Sequence, residues 1–297
     1  MNAQLSVAFE PFRTLHHQLM KEYPSPSCER NWGNLVLYQA PYKSEFCQYG
    51  RHLSVVYGDG KALLFPLGEF LPPSELADLV RIIRNDGRPV EVIFDLPEEY
   101  LTLFDGKVTD FFEIDGTEDE FDYLYDCQHL ATMSGPILRK RRNQLKHFME
   151  ETSNLRLIDI TPDNLPRVID FAIRQDEAHP DKDFLHREIM AMNAMRSNWQ
   201  ECGLQGFFVT GGGDETIGFS IFSPTSDKVM DVHFEKASRN FHGAAQFICC
   251  ETARRAAAQK FEYLNREQDM GEAGLRHSKR ALDPAMMFKR FNLTPKF

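Results

Sequence analysis

Hydrophobic and polar positions along the first hundred residues predict a small α/β unit. Short apolar runs bounded by turn residues predict strands at 35–39, 53–58, 61–68 and 90–97. Asp59-Gly60 favours a hairpin between the second and third of these strands. Apolar residues then recur at helical spacing through SELADLVRIIRNDG, and Gly87 ends that pattern. The last four elements follow the order β–β–α–β, which is typical of one α/β unit.

The second half repeats this kind of pattern. A basic helix is predicted from Pro136, with Leu138, Leu145, Phe148 and Met149 on its apolar side. Further strands are predicted at 155–161, 204–211, 215–224, 228–237 and 261–265. Further helices are predicted at 163–179, 186–203, 243–260 and 272–281. After the basic helix, and with a final apolar segment MMFKRFNL, the order is β–α–α–β–β–β–α–β–α–β.

The first half is a looser version of the same plan, so the pattern favours two similar halves that meet near residue 150. The chain has 297 residues, 42% of them hydrophobic, which is enough to build substantial cores. The sequence therefore predicts an α/β fold with mixed sheets, divided into domains 1–150 and 151–297.

Charge and cysteine content narrow the functional classes. A formal net charge of −10 disfavours a protein whose whole surface engages nucleic acid. The six cysteines show no CxxC spacing, which indicates reduced thiols. The sequence also lacks a secretory signal pattern at its start and any apolar run long enough to span a membrane. We therefore expect a cytoplasmic protein.

Two long segments carry a resemblance. The element order is similar to the GNAT acyltransferase fold. DYLYDCQHLATMSGPILRKRRNQLKHFMEE resembles the segment that joins two GNAT-like halves in the bacterial family that includes the phosphatidylglycerol lysyltransferase C-terminal domain. VHFEKAS and YLNREQDMGEAGLRHSKRALDP resemble that family's closing signature. The resemblance covers Phe121 to Pro284 well and the first hundred residues loosely.

The resemblance implies two tandem GNAT-like domains, with the presumed active site in the second. It also implies a relation to enzymes that move an aminoacyl group from aminoacyl-tRNA onto an amine or hydroxyl acceptor. The lysyltransferase has a membrane-embedded domain that supplies lipid, and no such segment is found here. We therefore expect an acceptor other than phospholipid.

Charged residues concentrate after the strand predicted at 261–265. Asn265, Arg266, Glu267 and Asp269 follow that strand directly, where sites gather in open α/β sheets. Arg276 and Lys279 share one face of the next predicted helix. With Arg266 they form a candidate site for a substrate phosphate or carboxylate. The alternative is a salt-bridged surface helix in which Asp269 acts as a cap.

The strand predicted at 228–237 carries the candidate catalytic residues. Asp231, His233 and Glu235 share one face of that strand. A carboxylate beside an imidazole can orient it and raise its basicity, and aminoacyl transfer requires a proton acceptor. His233 with Asp231 or Glu235 is therefore the candidate base. The alternative is a half-exposed strand with a polar face.

The segment SRNFHGAAQF lies where GNAT acetyltransferases carry a pyrophosphate-binding loop, Q/R-x-x-G-x-G/A. Arg239 fits the first place of that pattern, His242 occupies the place of its first glycine, and Gly243 is displaced by one. A side chain at that place crowds a pyrophosphate. Acetyl-CoA is therefore a disfavoured donor, although the three residues remain candidates for another anion. The alternative is a plain helix start.

The basic helix offers a second anion surface. Arg139, Arg142, Asn143 and Lys146 form one helical stripe within RKRRNQLK. Such a stripe can anchor tRNA phosphates and would make binding sensitive to salt. The alternative is a solvated helix packed against an acidic neighbour.

Other motifs are weaker. His179, Asp181, Asp183 and His186 resemble a metal cluster by composition only, so no metal is predicted. The chain has no Ser in a G-x-S-x-G setting, and this favours direct attack on a bound acyl donor over an acyl-enzyme.

An aminoacyltransferase-like enzyme that requires no cofactor is the leading hypothesis. A CoA-dependent acetyltransferase and a catalytically silent ligand-binding module are the alternatives. A homodimer remains open.

Overall fold

The protein is described here from a computed structural model, which covers residues 3–176 and 181–297. The strands are β1 (Ala3–Leu5), β2 (Glu45–Tyr49), β3 (His52–Tyr57), β4 (Ala62–Leu64), β5 (Val92–Pro97), β6 (Phe112–Asp115), β7 (Asp122–Asp126), β8 (Arg156–Asp159), β9 (Gln205–Thr210), β10 (Thr216–Pro224), β11 (Val229–Ala237), β12 (Tyr263–Asn265), β13 (Met286–Phe288) and β14 (Arg290–Pro295). The helices are α1 (Phe9–Glu22), α2 (Trp32–Leu37), α3 (Pro73–Asn85), α4 (Glu98–Leu103), α5 (Cys127–Thr132), α6 (Arg139–Glu151), α7 (Leu165–Asp176), α8 (Lys182–Asn198), α9 (Ala244–Ala258) and α10 (Ala273–Arg280). Short 3-10 turns lie at Cys28–Arg30, Val108–Asp110 and Glu118–Glu120.

The strands form two seven-stranded mixed sheets, which confirms the predicted α/β class. The first sheet has the order β1-β2-β3-β4-β5-β14-β6, and the second has the order β13-β7-β12-β11-β10-β9-β8. One parallel pair lies inside each sheet, β4 with β5 and β11 with β12, while the other named pairs are antiparallel. Each parallel pair is joined by a crossover that contains a helix, α3 or α9.

Each half gives one strand to the sheet of the other half. Strand β7 leaves the first half and pairs with β12 and β13, whereas β14 returns from the chain's far end to pair with β5 and β6. The sheets therefore do not divide the chain at residue 150, because backbone pairing takes residues 122–126 into the second sheet and 290–295 into the first.

Most predicted helices and strands are present, but one predicted strand near the start of the chain is a helix. The strand predicted at 35–39 is wrong, because these residues belong largely to helix α2. Asn31 caps that helix by accepting a hydrogen bond from the Asn34 backbone N–H. The predicted β3–β4 hairpin is confirmed by the pairing of Val56 with Leu63. The helix predicted at 163–179 is described as far as Asp176, and the rest of that prediction lies outside the described residues.

A hydrophobic core shared by both halves holds them together. Phe12 and Trp32 of the first half belong to the same buried cluster as Phe219 and Phe234 of the second. Full burial of one such side chain contributes about 1.5–3 kcal/mol. Among the described helices, none combines the length and the apolar character that crossing a bilayer requires.

Candidate active site

A cavity of about 680 Å³ opens between the two halves, and both halves line it. Its lining includes six carboxyl groups and two guanidinium groups, from Glu29, Asp95, Asp119, Glu120, Glu188, Glu267, Arg187 and Arg290. Its aromatic lining comes from Tyr38, Tyr42, Tyr57, Phe94 and Phe184. An acidic cavity with aromatic walls suits a ligand that carries a cationic group, which carboxylates and ring faces both attract.

Glu267 brings a carboxyl group to this cavity from the loop that follows β12. Its backbone lies in the left-handed region at φ +55°, which is uncommon for a residue with a side chain. The strain is held by local bonds, since the Glu267 N–H donates to Asn265 Oδ1 at 2.7 Å. Asn34 donates to the Glu267 carboxylate at 3.2 Å. Burial raises the pKa of Glu267 to about 7, within the range of a useful proton acceptor.

Lys279 stabilises the same loop through hydrogen bonds to its backbone. Its ammonium group donates to the backbone carbonyls of Arg266 at 2.6 Å and Glu267 at 3.1 Å, and also to that of Gln268. Burial lowers the pKa of Lys279 to about 8. These three carbonyls match the three donors of a lysine, so the predicted contact with a substrate anion would compete with these bonds.

Asp269 and Arg276 close the loop with an ion pair. The buried Asp269 carboxylate accepts from Arg276 Nε at 2.8 Å and Nη2 at 2.7 Å, and from the Tyr123 hydroxyl at 2.6 Å. Arg276 also pairs with Asp119. The hydrogen bonds from Arg276 lower the pKa of Asp269 to about 2. Arg276 is thus engaged in ion pairs, as in the alternative of a salt-bridged helix. Asp269 does not cap that helix, which has no side-chain hydrogen bond at its N-cap, Glu272.

Arg266 and Glu235 occupy the opening between β11 and β12. The pairing of these strands ends at Asp231 and Asn265, while β11 continues to Ala237. Arg266 Nη2 donates to Glu235 Oε1 at 2.6 Å inside that opening. Burial raises the pKa of Glu235. Neither residue belongs to the described lining of the cavity.

His233 lies behind the cavity wall in a hydrogen-bonded network. Its Nδ1 lies 2.8 Å from Asn34 Oδ1, and its Nε2 lies 2.7 Å from Ser223 Oγ. An amide oxygen only accepts, so Nδ1 carries the ring hydrogen and Nε2 accepts from the Ser223 hydroxyl. Burial lowers the pKa of His233 to about 3, so the ring is neutral at pH 7. Asp231 Oδ2 lies 3.7 Å from Nδ1, and burial raises the pKa of that carboxyl well above its usual value.

The composition of this cluster raises the question of a metal. Ligand atoms of Asp231, His233 and Glu267 lie within 4.8 Å of one another. The Asn34 amide contacts all three side chains, and both His233 nitrogens have hydrogen-bond partners. The geometry fits a hydrogen-bonded network.

The weaker candidate cluster comprises His179, Asp181, Asp183 and His186. His179 lies outside the described residues, and Asp181 caps α8 by accepting from the Phe184 N–H at 2.9 Å.

The structure brings two of the predicted anion sites together, away from the cavity lining. Gly243 starts α9 at φ +91°, and a Cβ there would lie 2.3 Å from the backbone oxygen of Gln144 on α6. The rings of His242 and His147 meet at 6.4 Å between centroids. Arg239, which precedes His242 by three positions in the sequence, is exposed. The loop at 239–243 and helix α6 therefore form one continuous surface.

The basic stripe on α6 is partly committed to structure. Arg142 donates to the backbone carbonyls of Met133 and Gly135. Arg139, Asn143 and Lys146 are exposed, and Lys146 makes a surface ion pair of 3.6 Å on its own helix. Three residues of the predicted stripe thus face solvent.

Sequence reasoning missed the N-terminal contribution to the site. Asn34 and Glu29 both line the cavity, yet neither was among the residues predicted for the site. Glu267 was noted among the polar residues that follow the strand, but it was given no role in the predicted site. The run CERNWGN held a usable signal, since Asn31 is a favoured N-cap residue type placed directly before Trp32.

Solved structures share this fold. A conserved protein of unknown function from Bacteroides thetaiotaomicron has a TM-score of 0.87 and 21% identity, covering 98% of each chain. The C-terminal domain of a putative lysylphosphatidylglycerol synthetase from Agrobacterium fabrum has a TM-score of 0.64 and 12% identity, covering 96% of this chain and 91% of that one. A tandem GNAT protein from the clavulanic acid biosynthesis pathway has a TM-score of 0.52 and 9% identity, covering 98% of both. The GNAT-like expectation is confirmed.

Sequence comparisons agree with the fold. An uncharacterized protein of Mycoplasmoides gallisepticum is 22% identical over 177 residues, which span 59% of this chain and 56% of that relative. The family described as phosphatidylglycerol lysyltransferase, C-terminal, matches residues 20–293. That match covers nearly the whole chain, including the cavity and every strand except β1 and the last residues of β14. The chain therefore belongs to the phosphatidylglycerol lysyltransferase C-terminal family.

Proposed function

We propose that this protein is an aminoacyl- or acyltransferase whose donor and acceptor meet in the cavity between the two halves. The observation that carries the proposal is Glu267, a cavity-lining carboxyl group held on a strained, braced loop at the end of a strand. Strained residues of this kind cluster at active sites. Membership of a transferase family supports the same class of reaction.

The proposed reaction is a direct transfer. The lone pair of an acceptor amine or hydroxyl attacks the acyl carbon of the donor. The proton of the acceptor passes to the Glu267 carboxylate. As the intermediate collapses, the bond between the acyl carbon and the leaving oxygen breaks, and Glu267 returns the proton to that oxygen. A positioned base contributes about 10²–10⁴-fold to such a rate.

The cavity lining supports a substrate with an ammonium group. Three of the six lining carboxyl groups, Asp95, Asp119 and Glu188, are paired with Arg30, Arg276 and Lys236. Glu29, Glu120 and Glu267 are the lining carboxyl groups that remain to attract a cationic group. Arg290 is itself paired with Asp95 at 3.3 Å and Asp122 at 3.2 Å, so its charge is already balanced. An aminoacyl donor and an amine acceptor both carry such a group. Binding of an amino acid amide, compared with its N-acetylated form, tests this part of the proposal.

Aminoacyl-tRNA is the proposed donor, and the surface of α6 with residues 239–243 is its proposed anchor. Exposed Arg139, Lys140 and Lys146 support it. Replacing these three by alanine should weaken tRNA binding and reduce the slope of log K against log salt by about 2–3. Alanine at the exposed Lys43, Lys61 and Lys107 is the matched control and should leave the slope unchanged.

Acetyl-CoA is the less favoured donor. Backbone of α6 packs against Gly243 at the start of α9, where a pyrophosphate would need open backbone N–H groups. The Arg266–Glu235 pair also fills the opening between β11 and β12. Titration calorimetry with acetyl-CoA should therefore show no binding, and a clear 1:1 isotherm would reverse this choice.

The decisive experiment measures transfer from a panel of aminoacyl-tRNAs and small aminoacyl esters to amine and hydroxyl acceptors. Glu267→Gln should reduce transfer by about 10²–10⁴-fold. Glu272→Gln removes a carboxyl group from the exposed end of the same loop and should leave the rate unchanged. Failure of every donor, or equal rates for both variants, would refute the proposal.

A further inference from the structure

One side-chain amide of the first half joins three polar groups of the second. Asn34 Nδ2 donates to Asp231 Oδ2 at 3.2 Å and to Glu267 Oε1 at 3.2 Å. Asn34 Oδ1 accepts from His233 Nδ1 at 2.8 Å. Asp231 is fully buried, whereas Glu267 lies at the cavity wall. The amide thus bridges one carboxyl group that a substrate can reach and one that it cannot.

This carboxyl pair has no cation in direct contact among the described residues. Glu267 forms no ion pair there, and the ammonium group of Lys279 bonds to the backbone of the loop. The His233 ring lies 3.7 Å from Asp231, but it is neutral and so supplies no positive charge to that carboxyl group. Asp231 Oδ1 has no hydrogen-bond partner. A buried carboxyl group in such surroundings is far less costly when it is protonated.

Neighbouring elements add negative charge. Glu267 faces Asp122 of β7, Glu29 of the turn at Cys28–Arg30 and Lys279 of α10. Asp231 faces Glu267, Asp122 and Glu29. Two like charges that share one amide cannot both ionise without cost, so one of them retains a proton. The buried member is the one that retains it, because solvent cannot reach it.

We propose that Asp231 stays protonated at neutral pH, that Glu267 is the ionised member of the pair, and that Asn34 is the positioning residue that aims Glu267 at the cavity. The inference rests on the proposed function for the role of Glu267, and it adds the device that keeps this group a base. During transfer Glu267 takes the proton of the acceptor and returns it to the leaving oxygen, while the Asp231 proton stays in place.

The test follows side-chain carboxyl carbons by NMR on protein labelled with ¹³C in aspartate and glutamate. At pH 7 one aspartate should show the signal of a protonated carboxyl group, and Asp231→Asn should remove it. Asp227→Asn, at an exposed position, is the control and should leave it. Asn34→Leu should move the titration of Glu267 to higher pH, because the hydrogen bond from Asn34 stabilises the ionised form. Asn34→Ser, which keeps a donor, should restore part of that shift.

Two outcomes would overturn the inference. One is the absence of a protonated aspartate signal at pH 7 in the unsubstituted protein, a result that does not depend on how Asp231→Asn folds. The other is stoichiometric binding of Zn²⁺ or Mn²⁺ that abolishes the signal, since the cluster would then be a metal site. No substrate enters this test, so its failure and a failure of the transfer assay are separate results.

Discussion

Arg290 on β14 pairs with Asp122 on β7 at 3.2 Å, and both side chains are buried. Each residue lies on the strand that its half gives to the other sheet. Asp122 also accepts from the Cys28 N–H at 2.9 Å and from Asn265 Nδ2 at 2.8 Å. One ion pair thus connects both exchanged strands, the turn at Cys28–Arg30 and the loop that carries Glu267.

Loss of Arg290 should therefore destabilise the whole protein. Arg290→Met leaves Asp122 as a buried charge without its ion-pair partner, while Asp95 keeps its pair with Arg30 at 2.8 Å. The loss of one partner of a buried pair costs about 3–5 kcal/mol. Lys289→Met is the control, because Lys289 makes an exposed pair with Glu98 worth at most about 1 kcal/mol. Urea unfolding measures both. Equal midpoints for the two variants would contradict the prediction.

Two glycines should respond oppositely to alanine. Gly243→Ala places a side chain at φ +91° and against the Gln144 carbonyl, so a loss of about 2 kcal/mol or more is expected. Gly274→Ala enters open space in α10 and should stabilise by about 0.5–1 kcal/mol. Thermal unfolding of the pair checks the prediction, and a stable Gly243→Ala protein would refute it.

The Asp269–Arg276 pair should make stability fall in acid. The pKa of Asp269 is lowered to about 2 by Arg276, against about 3.9 in an unfolded chain. Its contribution is present above pH ~4 and is lost as the pH falls toward about 2. Asp269→Asn should lower the free energy of unfolding by about 1–2 kcal/mol near pH 6. The further fall of that free energy between pH 6 and pH 2 should be smaller in the variant. Denaturation curves measured from pH 6 to pH 2 test this prediction. An equal loss of stability in acid for the variant and the unsubstituted protein would contradict it.

The two halves should not fold as separate fragments. Residues 1–150 lack β14, which lies between β5 and β6, and residues 151–297 lack β7, which lies between β12 and β13. Circular dichroism with denaturant should show no cooperative transition for either fragment alone, while the intact chain shows one. A cooperative transition in either fragment would mean that the exchanged strand is dispensable.

Local patterns predicted most elements, because a helix or strand reveals its buried face within a few residues. They failed at Leu35, Val36 and Leu37, where a short helix is buried all round and has no polar face to reveal its period. They also missed the site's main relationship. Asn34 meets Asp231 and Glu267 across 197 and 233 positions of sequence, and no local spacing reports such a contact.

For the charged residues after β12, the sequence predicted the positions of the side chains but not their partners. Spacing placed Arg276 and Lys279 on one face as predicted, but it could not show that their donors were already used by Asp269 and by three backbone carbonyls. Whether an arginine binds a substrate or braces a loop depends on partners that only the folded chain supplies.

The exchanged strands also govern when the protein can fold during its synthesis. Strand β14 fills the gap between β5 and β6, so the first sheet stays open until the ribosome has added residue 295. At about 5–20 residues per second, the roughly 180 residues after β6 take about 10–40 seconds to make. The nascent first half must wait through that interval with two unpaired strand edges, which makes it a natural client for chaperones.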